Sequence, residues 1–95
     1  MAVKVIIRRR VGKENEAKLS PLLIQMRALA TAQPGYISGE TLRNLEDPEE
    51  WLVIGTWKSE DDWKSWLTNK QRAEIQGKID SLLREKTNYD VYLYG

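Results

Sequence analysis

Three residue types are missing from this chain. None of its 95 residues is cysteine, histidine or phenylalanine. Without cysteine there are no disulfides, thiolate metal ligands or thiol nucleophiles. Without histidine the usual general base near neutral pH, the commonest metal ligand and the usual proximal haem ligand are all gone. An excess of one charge is lacking too. Fifteen basic residues against fourteen acidic ones leave +1, so no global field draws nucleic acid or an anionic membrane. The opening MAVKVIIRRRVG holds three consecutive apolar residues before its arginines, which does not read as a signal peptide. No stretch approaches the roughly 20 apolar residues of a membrane helix. Acidic residues cluster at turns and helix starts (Glu46, Asp47, Glu49, Glu50; Glu60, Asp61, Asp62), so no metal constellation is expected. Phosphate-cradling loops, nucleophile elbows and zinc spacings are absent. A soluble, cytoplasmic protein without nucleic-acid or membrane partners is the expectation.

What is present has an ordinary globular balance, 41% apolar and 31% charged. The length suits one domain over residues 1–95, with a core thin enough for a partner subunit to add to it. AVKVIIRRRV at 2–11 is β-branched and alternates, placing Val3, Val5 and Ile7 on one face. Gly12 ends that strand. Leu19, Leu22, Leu23, Met26, Leu29 and Ala30 then follow the spacing of an amphipathic helix over 13–32, which Pro21 should kink or delay. QPGY at 33–36 stops the helix, and YISGETLRN reads as a strand. LEDPEE is a turn, and EWLVIGTWK is the strand returning from it. Ser59, with Asp62 three residues on, starts a helix carrying Trp63, Trp66 and Leu67. A second helical pattern (Ile75, Ile79, Leu82, Leu83) follows a break near Thr68 and Asn69. KTNYDVYLYG reads as the last strand.

This order, βαββαβ, predicts an α+β ferredoxin-like sandwich with both helical segments on one face of a four-stranded antiparallel sheet. The other face should then be polar in a monomer. Instead, Leu52 and Ile54 oppose Trp51, Val53 and Trp57 in the third strand, and Tyr92 and Tyr94 oppose Tyr89, Val91 and Leu93 in the last. Strands apolar on both sides imply that both faces are covered, most simply by a second copy. A homodimer through the sheet face is expected.

The stretch QPGYISGETLRNLEDPEEWLVIGTWKSEDDWKSWL resembles the antibiotic biosynthesis monooxygenase family, whose members are small dimeric α/β barrels. The likeness rests on the Pro-Gly-aromatic strand entry, the Asp-Pro hairpin turn and the helix start with two spaced aromatics. It extends over essentially the whole chain. The family spans cofactor-independent oxygenation of phenols, quinol oxidation and haem degradation. For the haem-degrading branch, the second-helix tryptophan falls on Trp66, the haem-ligating histidine at about Gln76, and the first-strand asparagine near Ile7 or Arg8. A neutral amide cannot replace an imidazole on iron, so haem degradation by that mechanism is not implied. For the cofactor-free branch, Trp66 again matches, and Asp62 stands where an asparagine one turn earlier is usual. An ionised carboxylate offers no donor to an oxyanion. Raised by burial, it can instead act as a base.

Two readings remain open for each candidate. Asp62 and Trp66 are the proposed catalytic pair, or else a helix-start residue and a core indole. Tyr36, Arg9, Trp63 and Gln76 are proposed to contact substrate. Arg9 shares the face of Val5 and Ile7 and can hold an anionic ligand, or it is a strand-edge charge. Trp51 and Trp57 are read as core or dimer contacts. Tyr36, Tyr92 and Tyr94 need hydroxyl partners where buried, which suits a polar-lined cavity or a wet interface. The expected activity is cofactor-independent monooxygenation of an electron-rich phenol or quinol, with no cofactor and no metal. The alternative is a non-catalytic ligand-binding or interaction domain of the same fold.

Overall fold

The computed structural model describes residues 1–94. Four strands, β1 (Val3–Arg10), β2 (Tyr36–Arg43), β3 (Glu50–Trp57) and β4 (Asp90–Leu93), form one sheet in the order β2-β3-β1-β4. Every pairing is antiparallel. The helices are α1 (Glu16–Thr31), α2 (Glu60–Leu67) and α3 (Lys70–Leu83). This is the expected ferredoxin-like α+β arrangement. Gly95, expected at the end of the last strand, lies outside the described residues.

Register explains the faces. Val3 pairs with Trp57, Val5 with Gly55, Ile7 with Val53 and Arg9 with Trp51. Because side chains alternate along a strand, this row lies on one face, and the helices cover it. One buried cluster joins Val3, Val5, Ala30, Trp57, Trp63 and Trp66. Another joins Val11, Leu19, Trp51, Ile75 and Ile79. Burying an indole removes about 150–250 Å² from water, on the order of 4–6 kcal/mol apiece before entropy is charged.

Local chemistry sets the ends. The Ser59 hydroxyl accepts from the Asp62 amide at 3.1 Å, and the Asn69 side chain accepts from the Arg72 amide at 2.9 Å. Each satisfies one of the unpaired donors of a helix start. Gly35 adopts φ 82°, the left-handed backbone that its turn needs. The bulge between Tyr36 and Ser38 leaves Ile37 unpaired and exposed.

Two expectations change in detail and a third is narrowed to one of its two readings. A 3-10 turn at Lys13–Asn15 precedes α1, which then runs unbroken through Pro21. The proline ring is exposed and removes only the amide that would have bonded the Ala17 carbonyl. The last strand is shorter than expected, because Lys86–Tyr89 precede it without pairing. Trp51 and Trp57 are both buried under helices rather than held out for a partner.

The opposite face carries Ile6, Leu52 and Ile54 half-buried, with Leu42, Tyr92 and Tyr94 exposed. Its apolar character matches the sequence pattern. Among the described residues, no helix is long and apolar enough to cross a membrane.

Candidate functional site

A cavity of about 90 Å³ lies between the helix-covered sheet face and the helices. One side is aromatic. Trp57 on β3 stacks on Trp66 of α2, with centroids 5.9 Å apart and planes inclined by 28°. Trp63, one turn earlier on α2, tilts against Trp57 at 6.3 Å. Tyr36, at the start of β2, meets the edge of Trp57 at 5.3 Å. The Tyr36 ring crosses Gly39, where a Cβ would lie 2.5 Å from its hydroxyl, so the close approach depends on glycine.

The other side is polar. Arg72 is buried, 5% exposed, and sits on the first turn of α3 where the Asn69 cap fixes it. Its guanidinium donates to the Tyr89 hydroxyl, to Gln76 Oε1 at 3.4 Å and to the Leu67 carbonyl at 3.4 Å. It lies over two rings, 5.9 Å from the Trp66 centroid and 5.1 Å from that of Tyr89. The Tyr89 hydroxyl donates to Gln76 Oε1 at 3.3 Å, and its ring meets Trp63 edge-on at 5.4 Å. Gln76 Nε2 in turn donates to Thr87 Oγ1 at 2.6 Å and Asp80 Oδ1 at 2.9 Å.

Arg9 closes this network from β1. Its Nη1 donates to Thr87 Oγ1 at 3.0 Å. Its Nε is buried and has no acceptor. Burial holds the Arg9 pKa below the ordinary guanidinium value. Tyr89, Asp80 and Glu85 act against that lowering, while Arg72 adds to it.

Five of the six candidate residues line the cavity together: Trp66, Trp63, Tyr36, Arg9 and Gln76. Asp62 does not line it. Its carboxylate accepts from the Ser59 hydroxyl at 2.9 Å and packs against Gly35, where a Cβ would lie 2.2 Å from Asp62 Cγ. Residues four apart share a helix side only approximately, and here the capping serine turns the carboxylate toward the chain entering α2. The polar tyrosine of the cavity is Tyr89, whereas Tyr92 and Tyr94 lie on the opposite sheet face, 55% and 49% exposed.

Arg72 and Tyr89 escaped sequence reasoning. One signal for Arg72 was present: Arg72, Gln76 and Asp80 recur every four residues on α3, beside the apolar Ile75 and Ile79. A polar row adjoining a core row points toward an interior polar site. For Tyr89 no comparable signal exists, since its partners come from other elements.

An α+β sandwich with an indole-walled, arginine-ended cavity is the class that fold and site define. The sequence profile of the antibiotic biosynthesis monooxygenase family matches residues 2–78, and the chain belongs to that family. Among solved structures, a conserved protein from Methanosarcina mazei Go1 superposes with a TM-score of 0.91 at 20% identity, over 100% of this chain and 94% of that one. SnoaB from Streptomyces nogalater, a cofactor-independent oxygenase, superposes with a TM-score of 0.80 at 18% identity, over 99% of this chain and 93% of SnoaB. Likeness at such identities establishes the fold. The protein SchA of Streptomyces halstedii is 23% identical over 82 residues, which is 86% of this chain and 22% of SchA. The chain thus spans under a quarter of the length of the curated relatives it matches.

Proposed function

We propose that the protein is a cofactor-independent monooxygenase whose substrate, an electron-rich phenol or quinol, enters the cavity with its ring against the indoles. The observation that carries this reading is Arg72, a buried guanidinium bonded only to neutral oxygens at one end of an aromatic cavity. A phenol that gives its proton to bulk water as it enters places its oxygen beside a positive charge in a low-dielectric setting, which favours the phenolate over the phenol. The phenolate is electron-rich enough to reduce oxygen itself. One electron passes to O2, the radical pair joins at a ring carbon, and the resulting peroxide loses water. In sum, phenol plus O2 gives quinone plus H2O, with one oxygen atom in each product. Trp57, Trp63 and Trp66 orient the ring and exclude water, and Tyr89 and Gln76 hold Arg72 in place.

Oxygen uptake across a panel of single-ring phenols and quinols tests the proposal. At least one substrate should turn over well above its protein-free rate, and Arg72→Gln should cost about 100-fold, as removing one preorganised donor from a developing oxyanion does. No turnover above background for any member refutes it.

One observation favours a second reading. Among the described residues, the cavity wall holds no carboxylate, and the chain has no histidine, so no strong proton acceptor stands beside the substrate. A domain that binds aromatic ligands without transforming them fits that wall. Saturable binding without oxygen uptake supports it. The apolar outer sheet face supports a homodimer in either case.

A further inference from the structure

The cavity wall includes Arg9, Arg27 and Arg72 and, among the described residues, no aspartate or glutamate. The chain as a whole is nearly neutral, at +1, so this local excess is not a reflection of composition. Arg27, half-buried, donates to the Gly39 carbonyl at 2.9 Å and to Thr41 Oγ1 at 3.3 Å. Arg72 is held by a hydroxyl, an amide oxygen and a carbonyl. Arg9 has Thr87 alone, with Nε left over. The nearby carboxylate, Asp80, is occupied by Gln76 and Thr87. Among the described residues, the ion pairs of the chain lie elsewhere, at Arg10, Arg43 and Lys64.

A buried cation without a counter-charge costs several kcal/mol. Among the described residues, Arg9, 7% exposed, and Arg72, 5% exposed, make no direct ion pair; Asp80 reaches Arg9 only through Thr87, and Glu85 acts on it from outside the cavity wall. The cavity wall itself, among the described residues, carries no carboxylate, so an anionic ligand would give both guanidiniums the direct partner they lack. A carboxylate suits this end best, because its two coplanar oxygens match the fork of a guanidinium and supply the acceptor that Arg9 Nε lacks. Size narrows the class further. The cavity, about 90 Å³ and open to solvent on one side, is smaller than the roughly 150 Å³ that encloses a benzene, so a ligand presents a single ring to it and projects in part beyond it.

We infer that the cavity binds a single-ring phenol or quinol bearing a ring carboxylate, with the carboxylate at Arg9 and the phenolic oxygen at Arg72. The inference deepens the oxygenase proposal by naming its substrate class, but it concerns recognition and needs no turnover.

Trp57, Trp63 and Trp66 line the cavity and report occupancy through their fluorescence. The full chain is titrated with a para-dihydroxybenzoate, with the corresponding neutral benzamide and with hydroquinone, and oxygen uptake is followed in the same samples. The acid should bind at least about tenfold more tightly than the amide, a difference of ~1.4 kcal/mol. Arg9→Met should erase that preference by weakening the acid at least about tenfold more than the amide, and Arg9→Lys, which keeps the charge, should retain part of it. Equal binding of acid and amide overturns the inference, as does an acid affinity unchanged in Arg9→Met. Should Arg9→Met fail to fold, the comparison of acid with amide on the unaltered chain decides alone. An acid preference without oxygen uptake upholds this inference and removes the oxygenase reading. Uptake of neutral quinols with no acid preference does the reverse.

Discussion

The indole of Trp66 lies stacked on that of Trp57, 5.9 Å between centroids, so one side chain serves both the core and the cavity wall. Its two roles separate by substitution. Trp66→Ala removes a buried aromatic and should cost about 3–5 kcal/mol in denaturant unfolding. Trp66→Phe keeps most of the packing and should cost roughly 1–2 kcal/mol while weakening aromatic ligands more than tenfold. Equal losses of stability in the two variants would show that the stacking itself, not the buried volume, holds this corner.

The turn into α2 is a tight local unit. Gly35→Ala places a methyl group at positive φ and against the Asp62 carboxylate, and should destabilise by about 2–3 kcal/mol. Ser59→Ala removes the cap at a cost of about 1 kcal/mol. Because Asp62 bonds Ser59 rather than lining the cavity, Asp62→Asn should leave ligand binding within about twofold. A far larger loss of binding would restore Asp62 to the site.

Arg84 ends α3 with φ 53°, the left-handed backbone that side chains disfavour. The Glu85 amide reaches the Asp80 carbonyl at 3.1 Å, the closing bond of a Schellman-type cap that usually employs glycine. Arg84→Gly should therefore stabilise the fold by about 0.5–1 kcal/mol, read as a higher midpoint at an unchanged slope in urea.

Arg9 offers a test with a definite sign. Its guanidinium pKa is lowered in the folded state, chiefly by burial, so the unfolded chain holds that charge more readily. The penalty on folding is then present throughout the neutral range and is relieved only as pH rises through the folded-state value toward the ordinary guanidinium one. Arg9→Met removes the penalty, and its stability should equal or exceed the wild type by roughly 0–2 kcal/mol, with no pH dependence across the neutral range. A loss of several kcal/mol would mean that the Thr87 hydrogen bond outweighs desolvation.

The outer sheet face supplies the last prediction. Ile54→Lys sets a charge among Ile6, Leu52 and Leu42, and a homodimer joined there should become monomeric by sedimentation at micromolar concentration. An unaltered chain that already sediments as a monomer would end that reading.

Much of this fold is legible in the sequence because its determinants are local. The alternation of Val3, Val5 and Ile7, the spacing of Leu19 to Ala30, the Ser59 and Asn69 starts and the Gly35 turn each involve residues a few positions apart. Pro21 misled only about the helix onset, since one missing amide on an exposed face does not outweigh an apolar stripe packed on the sheet. The site was half legible. Trp63 and Trp66 follow from helical spacing and Arg9 from strand alternation, while Gln76 entered through the family resemblance.

By itself, then, the sequence determined the elements, their order and the apolar burden of both sheet faces, all of which follow from periodicity and short-range capping. Only the tertiary structure decided which polar groups meet. Arg9 and Thr87 are 78 residues apart, and Arg72 and Tyr89 are 17 apart, in contact because the segment leaving α3 bonds back to Arg72, Gln76 and Asp80 before β4 pairs with β1. The same packing joined Trp66 to Trp57, and the Ser59 cap drew Asp62 away from the cavity. Periodicity states which face a residue takes. Which partner waits there is set by long-range packing, and in this chain that packing brings two buried guanidiniums, Arg9 and Arg72, to one cavity wall.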